Sequence, residues 1–331
     1  MEKVSKVYRH LERYRQILRV LVKYGLSEMV SRAHLIRYLG KKGVYAGEKK
    51  RIEELGRVER VRIALEELGP TFIKLGQILS LRPDLVSLEL AMELRKLQDN
   101  VPAFSFTEAK REVEEELKAP LGRNFSFFDT KPLAAGSIAQ THLAKLLNGE
   151  EVIVKVRRPR IKQIIETDLE IMFHLANLME KYRSESKLYN PVKIVKEFSK
   201  IIRKELDFTY EANNIKKFAY NFINDATVYT PRVVDDLCEE RVLTMERIKG
   251  IKISNYKELE TAGLDRKIIA RNGANSILKQ VFDYGFFHGD PHPGNIYVLR
   301  NNVICFLDFG MMGRLDKQTR ENLADLFIAI I

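Results

Sequence analysis

The chain has 331 residues, of which 45% are apolar, so it can bury the core of one large or two modest domains and is not globally disordered. Its net charge is +11, and most of it lies in residues 1–50, which hold 13 Lys/Arg against 4 Asp/Glu. Two cysteines, Cys238 and Cys305, show no C-x-x-C spacing. That argues against a disulfide framework and a zinc site, and is typical of a reducing cytosol.

The basic amino-terminal end has two interpretations: it binds an anionic membrane surface, or it is a solvated helical face. Aromatic residues do not interleave with the basic ones in a nucleic-acid-binding motif, so we expect no nucleic-acid partner. The opening MEKVSKVYRH is charged where a secretory signal is apolar, and no run approaches the ~18 apolar residues of a spanning helix. The last residues, ENLADLFIAII, form an apolar helical pattern without a capping residue. We therefore expect the natural protein to continue beyond residue 331 and to be cytoplasmic, peripheral to or anchored at a membrane.

The first 100 residues are helical in pattern. An amphipathic run at residues 60–68 ends at Gly69-Pro70, and a second helix opens at Thr71. Pro83 ends that helix, and a third is predicted over residues 87–98. Ser105 and Glu108 have the spacing of a capping box, which announces a fourth.

Strand patterns begin after Pro132. Two strands are predicted at residues 140–147 and 151–156, joined by a tight turn at Asn148-Gly149. Further along the chain we predict helices over residues 161–182, 191–224 and 265–284, and strands near 227–234, 241–247, 296–299 and 303–307. The sequence shows no internal repeat and no low-complexity tract.

The segment HGDPHPGN, residues 288–295, places Asp290 five residues before Asn295, between a long helix and a hairpin. This is the arrangement of a phosphotransferase catalytic loop, in which the Asp accepts the proton of a hydroxyl or positions a water and the Asn ligates Mg²⁺. The alternative is a polar turn rich in Pro and Gly.

A second motif, Asp308-Phe309-Gly310, follows Asn295 by thirteen residues at the end of a predicted strand. A carboxylate at Asp308 would bridge the β- and γ-phosphates of a nucleotide through the metal. A D-F-G tripeptide is common by chance, but this distance with a hairpin between makes the pair of motifs specific. We predict metal ligands at Asn295 and Asp308 and a catalytic role for Asp290.

In the run VIVKV, residues 152–156, alternation puts Lys155 on the face of the strand opposite the valines. A lone strand lysine usually faces solvent, but this one leads into a large helical segment, as the phosphate-binding lysine of a kinase does. Such a lysine needs a carboxylate partner, which we assign to Glu211, within about 4 Å.

The glycine-rich loop of a kinase is missing, and the corresponding stretch LAAGSIAQ contains Ala134, Ala135, Gly136 and Ser137. Small side chains let the backbone approach phosphates, although alanine restricts φ and stiffens the loop. We predict that these four residues contact the nucleotide, together with Glu246 and Ile248. The alternative is an ordinary turn of small residues.

Two further motifs complete a resemblance to a known protein family. The features already described that carry it are the alanine-bearing loop, the strand lysine, H-G-D-x-x-x-x-N and D-F-G. Lys74-Leu75-Gly76-Gln77 matches K-x-G-Q, and Glu205-Leu206-Asp207 matches E-x-D. From about residue 55 to residue 331 the sequence resembles the UbiB (ADCK) family of atypical kinases. Lys74 and Gln77 stand i, i+3 and share a helix face, which is more often solvated than functional.

The resemblance implies an α+β, protein-kinase-like two-lobed fold whose helical N-terminal extension packs over the active-site cleft. In the family the K-x-G-Q helix is regulatory, so Lys74 would meet Glu205 and Asp207 above the nucleotide, and Glu211 would pair with the strand lysine. The implied cofactors are ATP or ADP and Mg²⁺, and the implied role is ubiquinone-type quinone biosynthesis with quinone-pathway lipids or proteins as partners. Gly136 among the alanines leaves the preference between ATP and ADP open.

We predict four segments: a basic helical segment over residues 1–54, a helical extension over 55–130, a small lobe over 131–247 and a large lobe over 248–331. Two rivals remain for the function. A small-molecule kinase of the aminoglycoside or choline type shares H-G-D-x-x-x-x-N but lacks K-x-G-Q and E-x-D. A nucleotide-gated pseudokinase scaffold would not turn over, and a turnover assay separates it from an enzyme.

Overall fold

The computed structural model describes residues 2–25, 52, 55–97, 102–182 and 190–330. The chain divides into two compact units. The first unit comprises Met1–Phe104, Ala134–Gln140 and Arg157–Arg203, and the second comprises Ser105–Leu133, Thr141–Val156 and Lys204–Ile331. The four segments expected from the sequence stay a prediction.

Helices make up most of the first unit and much of the second. The helices are α1 (Glu2–Lys23), α2 (Arg57–Leu68), α3 (Pro70–Ser80), α4 (Leu88–Leu94), α5 (Phe106–Leu117), α6 (Leu121–Asn124), α7 (Ile161–Tyr182), α8 (Pro191–Glu205), α9 (Phe208–Asn221), α10 (Tyr256–Thr261), α11 (Arg266–Leu278) and α12 (Lys317–Ile330). Within the described residues, none of these helices is both long and apolar enough to cross a membrane.

In the described part of the chain the strands form three sheets. They are β1 (Phe125–Phe128), β2 (Ala134–Ala135), β3 (Ala139–Leu146), β4 (Glu151–Arg157), β5 (Val228–Tyr229), β6 (Val242–Glu246), β7 (Ile251–Lys252), β8 (Phe286–His288), β9 (Ile296–Val298), β10 (Ile304–Phe306) and β11 (Met312–Arg314). The first sheet has the order β1-β3-β4-β6 with β2 on β3, the second has the order β5-β10-β9-β7, and β8 pairs with β11. The predicted hairpins β3–β4 and β9–β10 are both present.

Local sequence signals explain several helix ends. Gly69 separates α2 from α3 with a φ of 92°, a left-handed conformation that suits glycine, and Pro70 is the first residue of α3. Ser105 and Glu108 form the predicted capping box at the start of α5. The helix predicted over residues 87–98 begins as expected, but α4 ends at Leu94, and residue 98 lies outside the described residues.

The helix predicted over residues 191–224 is wrong, since the chain forms α8 and α9 with a break between them. Asp207 is extended, with a φ of −117°, and its carboxylate accepts the backbone N–H of Thr209 at 3.0 Å. The backbone N–H of Phe208 donates to the carbonyl of Glu240 at 3.1 Å instead of continuing the helix. Apolar periodicity continues through this break, which is why the pattern did not reveal it.

Two other boundaries also differ from prediction. The strand expected over residues 227–234 contains only Val228–Tyr229, because Pro231 removes a backbone donor and a single bridge joins Val233 to Met245. The helix expected over residues 265–284 is α-helical only to Leu278 and ends in a π-turn at Lys279–Asp283.

Helix α1 is part of the core of the first unit. Leu18 is fully buried and packs against Leu175 and Leu178 of α7. Arg13 of α1 donates from Nε and Nη2 to the carboxylate of Asp168, at 2.6 and 2.9 Å, and Asp168 is 0% exposed. The described part of the basic amino-terminal segment is therefore a packed helix, and some of its basic side chains form ion pairs. The remainder, at residues 26–51, lies outside the described residues.

Candidate functional site

Lys155 lies in the middle of β4, on the face opposite the fully buried Val154 and Val156. Its Nζ lies 2.8 Å from Oε2 and 3.2 Å from Oε1 of Glu211 on α9. The same Nζ lies 3.9 Å from Oδ1 of Asp308. The predicted ion pair between Lys155 and Glu211 is thus confirmed, and the structure adds the third charge beside it.

Lys155 and Glu211 lie in a poorly hydrated environment, with the half-exposed Asp308 beside them. Burial opposes the charge of Lys155, but the carboxylates of Asp308 and Glu211 outweigh it and raise the pKa of the ammonium group. Burial also raises the pKa of Glu211, whose side chain is 5% exposed, and the attraction of Lys155 offsets this in part. Lys155 therefore stays cationic through the neutral range, as a residue that binds phosphate oxygens must.

Helix α9 joins the lysine to the D-F-G segment. Asp207 caps its first turn, and Glu211 follows one turn later. Asn214, three residues further on the same face, donates from Nδ2 to the carbonyl oxygen of Phe309 at 2.9 Å. One rigid helix therefore fixes both the carboxylate beside Lys155 and the residue that follows Asp308.

The D-F-G segment forms a sharp turn. Asp308 has a φ of 59°, in the left-handed region that Asp tolerates better than most residues. Its side chain is 54% exposed, and Oδ1 accepts the backbone N–H of Gly310 at 3.2 Å. Phe309 points the other way, is 1% exposed and packs edge-on against Phe218 of α9 at 5.1 Å. The turn thus exposes the carboxylate while it anchors the neighbouring ring.

The H-G-D-x-x-x-x-N loop lies against the residue before Asp308. The backbone N–H of Leu307 donates to the carbonyl oxygen of Asn295 at 2.8 Å. Nδ2 of Asn295 donates to the carbonyl oxygen of Asp290 at 3.4 Å. The structure therefore brings Asp290, Asn295 and Asp308 into one hydrogen-bonded segment, as the spacing of the two motifs predicts.

The residues present fit Mg²⁺. With its nitrogen donating to Asp290, the side-chain oxygen of Asn295 remains as the metal-binding atom, and Asp308 offers a half-exposed carboxylate. Magnesium prefers oxygen ligands and takes one or two from the protein and the rest from phosphates and water. Across the described residues no group of three His, Cys, Asp or Glu side chains could hold a metal. The metal-ligand roles of Asn295 and Asp308 stay a prediction.

The alanine-bearing loop belongs to the first unit. Ala134 and Ala135 form the short strand β2, and the N–H of Gly136 donates to the carbonyl of Ala139 at 2.8 Å. Nη2 of Arg158 donates to the carbonyl of Gly136 at 3.1 Å. Ser137 is 2% exposed. The loop is therefore a turn held by hydrogen bonds to Ala139 and Arg158, as expected of a loop with little glycine. Its contact with a nucleotide stays a prediction.

Glu246 is the last residue of β6, and Ile248 lies two residues beyond it. The carboxylate of Glu246 accepts the hydroxyl of Tyr229 at 2.8 Å and the backbone N–H of Arg232 at 3.2 Å. Together with burial, this carboxylate raises the pKa of Tyr229 to about 12. Ile248 lines an open groove with Lys249 and Gly250. The side chain of Glu246 is therefore hydrogen-bonded to the segment that contains β5. A nucleotide that contacts Glu246 would then do so through backbone atoms.

Helix α3, which carries the K-x-G-Q motif, packs at Gly76 against other residues of the first unit. A Cβ at Gly76 would lie 2.2 Å from Cδ1 of Leu97 and 3.0 Å from Cδ1 of Leu65. Nε2 of Gln77 donates to the carbonyl of Leu97 at 3.3 Å, so this predicted regulatory residue also has a structural bond. The glycine of the motif gives these leucine side chains room, and substitution by alanine would require the side chains of Leu97 and Leu65 to move. Lys74 is half-buried on the same helix.

The E-x-D motif straddles the helix break. Because Glu205 ends α8 and Asp207 precedes α9, the two acids do not lie on one helix, as the helix predicted over residues 191–224 would have placed them. Asp207 accepts from both N and Oγ1 of Thr209, at 3.0 and 2.6 Å, and so begins the helix that carries Glu211. Glu205 is 7% exposed. The predicted contact of Lys74 with these acids stays a prediction.

Sequence reasoning assigned no role to two residues that organise the site. Asn214 was not singled out, although its place three residues after Glu211 on a predicted helix is a usable signal. His288 was quoted within the H-G-D motif but given no function. Its ring packs between Phe306 and Phe309, with centroids 5.7 Å from each, and the side chain is 3% exposed.

The paired strand lysine and helix glutamate, the D-F-G turn and the H-G-D-x-x-x-x-N loop define a protein-kinase-like fold. Residues 96–331 match the ABC1 atypical kinase-like domain, and the chain belongs to this family. The resemblance to UbiB proteins stated from the motifs is confirmed.

Among curated relatives, the chain is 40% identical to the probable protein kinase UbiB of Vibrio cholerae over 327 residues, 96% of this chain and 60% of that protein. It is 42% identical over 318 residues to an uncharacterized protein of the hydrogenase 1 5′ region of Clostridium pasteurianum, 96% of this chain and 56% of that protein. The chain thus spans less than two thirds of the length of these relatives. Among solved structures it is similar to Rv3197 of Mycobacterium tuberculosis, solved with erythromycin, with a TM-score of 0.54 and 25% identity over 80% of this chain and 69% of that chain.

Proposed function

We propose that this protein binds a Mg²⁺-nucleotide and slowly hydrolyses ATP or transfers its γ-phosphoryl group. The observation that carries the proposal is the position of Lys155, whose Nζ lies within 4 Å of the carboxylates of both Glu211 and Asp308. Lys155 would bind phosphate oxygens, Asp308 and Asn295 would hold the metal, and Asp290 would accept the proton of the attacking hydroxyl or water. The metal, when bound, supplies neutralisation of the charge that develops on the phosphates.

We further propose that the cellular role is support of ubiquinone-type quinone biosynthesis at a membrane, with quinone-pathway lipids or proteins as partners. The support is the likeness to proteins named probable protein kinase UbiB and the presence of K-x-G-Q and E-x-D. Phosphorylation of a protein in trans is not expected if the Lys74 helix covers the face where a peptide would lie.

A small-molecule kinase is the second candidate. The observation that favours it is the H-G-D-x-x-x-x-N loop, and the similar Mycobacterium tuberculosis protein was solved with a small molecule, erythromycin. The nucleotide-gated scaffold is the third, and the full set of catalytic side chains argues against it.

One experiment separates the three candidates. Phosphate release from Mg²⁺-ATP is measured with the intact chain alone, with liposomes that contain a polyprenylated quinone precursor, and with erythromycin or an aminoglycoside. Turnover that rises with the lipid supports the proposal, and turnover that rises only with the antibiotic supports the small-molecule kinase. Nucleotide binding without turnover under every condition would establish the scaffold.

We expect the basic residues of α1 to favour anionic liposomes, with binding that weakens as salt rises. Removal of the first 50 residues would also remove buried Leu18, so charge reversal is the sharper test. Arg15→Glu/Arg19→Glu should weaken co-sedimentation with anionic vesicles at least about 30-fold at 50 mM salt, since each of the two basic residues near such a surface contributes about 1 kcal/mol.

The matched control for this experiment is Lys267→Glu/Arg271→Glu, an exposed pair with the same spacing on α11. It changes the net charge by the same amount at a different place. Equal loss of binding in both variants would mean that only overall charge matters. Binding that does not respond to salt would favour a solvated helical face for α1.

We expect Lys74→Ala to leave the fold intact and to alter nucleotide handling, with a gain of autophosphorylation. The reason is the proposed restraint, in which the Lys74 ammonium group neutralises Glu205 and Asp207 above the nucleotide. Phosphate incorporation is read by intact mass after incubation with Mg²⁺-ATP, beside a thermal-shift titration with nucleotide. Lys96→Ala, an exposed lysine of the same unit, is the control. A Lys74→Ala protein that matches the wild type in both measurements would refute the restraint.

A further inference from the structure

The helix before the H-G-D motif ends in an unusual way. After Leu278 the chain forms a π-turn over Lys279–Asp283, directly before β8. A π-turn inserts an extra residue and is less favourable than continued α-helix, so it persists where the surroundings need it, often at a functional site. Side chains hold both ends of this turn. Lys279 pairs with Asp225 at 2.6 Å, and Arg320 donates to the carbonyl oxygens of Phe282 and Asp283 at 3.2 and 2.8 Å.

The π-turn contains a buried side-chain amide. Gln280 is 0% exposed, and its Oε1 accepts the backbone N–H of His288 at 2.8 Å. Within the described residues its Nε2 is buried and has no hydrogen-bond partner. An unsatisfied buried donor is costly, and an apolar side chain of the same shape would avoid that cost. The hydrogen bond that the side-chain oxygen accepts from His288 therefore explains why an amide occupies this buried position.

The oxygen of Gln280 fixes a residue that touches both catalytic motifs. Nδ1 of His288 accepts the backbone N–H of Asp290 at 3.2 Å, so the neutral ring carries its proton on Nε2. That Nε2 then donates to the carbonyl oxygen of Leu307 at 3.3 Å, next to Asp308. One imidazole thus spans the two segments, and its backbone is held by Gln280.

We propose that Gln280, placed by the π-turn, is a positioning residue that sets the distance between the Asp290 loop and Asp308 through the backbone of His288. The inference rests on the proposed phosphoryl-transfer function of this loop. Gln280 is fully buried and its oxygen bonds to the backbone of His288, so its loss should change turnover and loop protection while nucleotide affinity is retained.

The test uses the full chain with Gln280→Met, which keeps the length of the side chain and removes the acceptor. Hydrogen exchange of the peptide that covers residues 286–292 should quicken by roughly tenfold or more. The kcat for Mg²⁺-ATP should fall about tenfold with the nucleotide Kd within twofold, since misplacement affects the reacting geometry more than binding. Gln280→Glu retains an oxygen acceptor. When all variants are compared at pH 6, it should show the slow exchange of the wild type.

The matched control is Asn272→Leu on the same side of the fold. Asn272 of α11 donates from Nδ2 to the carbonyl of Asn302 at 2.9 Å and thus also anchors a backbone group, but in the β9–β10 turn. Its loss should leave exchange over residues 286–292 and kcat as in the wild type. If Gln280→Met does not fold, Gln280→Asn, whose shorter amide cannot reach His288, takes its place.

Unchanged exchange over residues 286–292 in Gln280→Met would overturn the inference, as would a loss of kcat matched by Asn272→Leu. The exchange measurement requires no activity. If the wild type shows no turnover, the proposed function fails while the positioning role is still decided by the exchange rates.

Discussion

Asp308→Asn is expected to all but abolish Mg²⁺-dependent nucleotide binding, while Asp290→Asn is expected to leave binding intact and lower turnover. This result is expected because the two carboxylates have separate tasks in the proposed site. Asp308 is half-exposed beside Asn295 and would hold the metal, whereas Asp290 lies at the start of the loop and would handle the nucleophile. We expect a loss of about 100-fold in Mg²⁺-dependent affinity for Asp308→Asn, roughly 2.7 kcal/mol. For Asp290→Asn we expect turnover to fall by about 10² to 10⁴.

The substitutions are chosen to preserve the fold. Asparagine tolerates the left-handed φ of 59° at position 308, and it keeps the shape of the aspartate at both positions. Isothermal titration with nucleotide, with and without Mg²⁺, gives the affinities, and phosphate release gives turnover. Asp236→Asn, an exposed acid elsewhere in the second unit, is the control. Equal loss of binding in the Asp290 and Asp308 variants would contradict the division of roles.

Lys155→Met is expected to lower the free energy of unfolding by about 3 kcal/mol at pH 8, because it leaves a nearly buried carboxylate without its cation. Glu211 is 5% exposed and already has a raised pKa from burial, with Asp308 and Glu205 adding to the increase. Lys155→Met/Glu211→Met removes both charges from a similar volume and should recover most of the loss. Neither variant should bind nucleotide with wild-type affinity.

The penalty in Lys155→Met should depend on pH. Without the lysine, the pKa of folded Glu211 lies further above the unfolded value of about 4.3. A carboxyl with a raised folded pKa favours the folded state fully only below the unfolded pKa, and that contribution is lost as pH rises through the folded pKa. The difference in stability between the wild type and Lys155→Met should therefore shrink from pH 8 to pH 5.

Urea unfolding of the metal-free proteins at both pH values measures these differences. The double variant provides the comparison, since it lacks the group that titrates. A Lys155→Met penalty that is the same at pH 5 and pH 8, or a double variant no more stable than the single one, would contradict the account. In that case Lys155 would contribute mainly through packing of its methylene chain over Phe208, whose ring centroid lies 5.4 Å from Nζ.

Much of the candidate site could be read from local patterns. The alternation in VIVKV placed Lys155 on the face away from the buried valines, and the hairpins followed from Asn148-Gly149 and the run before Asp308. Spacing between motifs was also informative, because a hairpin of fixed length returns Asp308 to the loop of Asn295. These features depend on residues near one another in sequence.

Other features depended on partners far away along the chain. The break before Phe208 is stabilised by the carbonyl of Glu240, and the short β5 reflects Pro231 and the bridge to Met245. Periodicity averages over a window and does not register a two-residue interruption whose hydrogen bonds are made by another segment. The same reason hid the π-turn, since Lys279 pairs with Asp225 and the carbonyl of Phe282 accepts from Arg320, both far away along the chain.

The sequence by itself determined the family, the kinase-like fold, the hairpins and the identity of the charged side chains, because motifs and alternation are properties of short segments. Only the tertiary structure decided that Glu211 faces Lys155 at 2.8 Å, that Asp207 caps α9, and that His288 links Asp290 to Leu307. Each of these contacts joins side chains or backbone groups whose geometry is set by how helices and strands pack, and packing is a property of the whole chain.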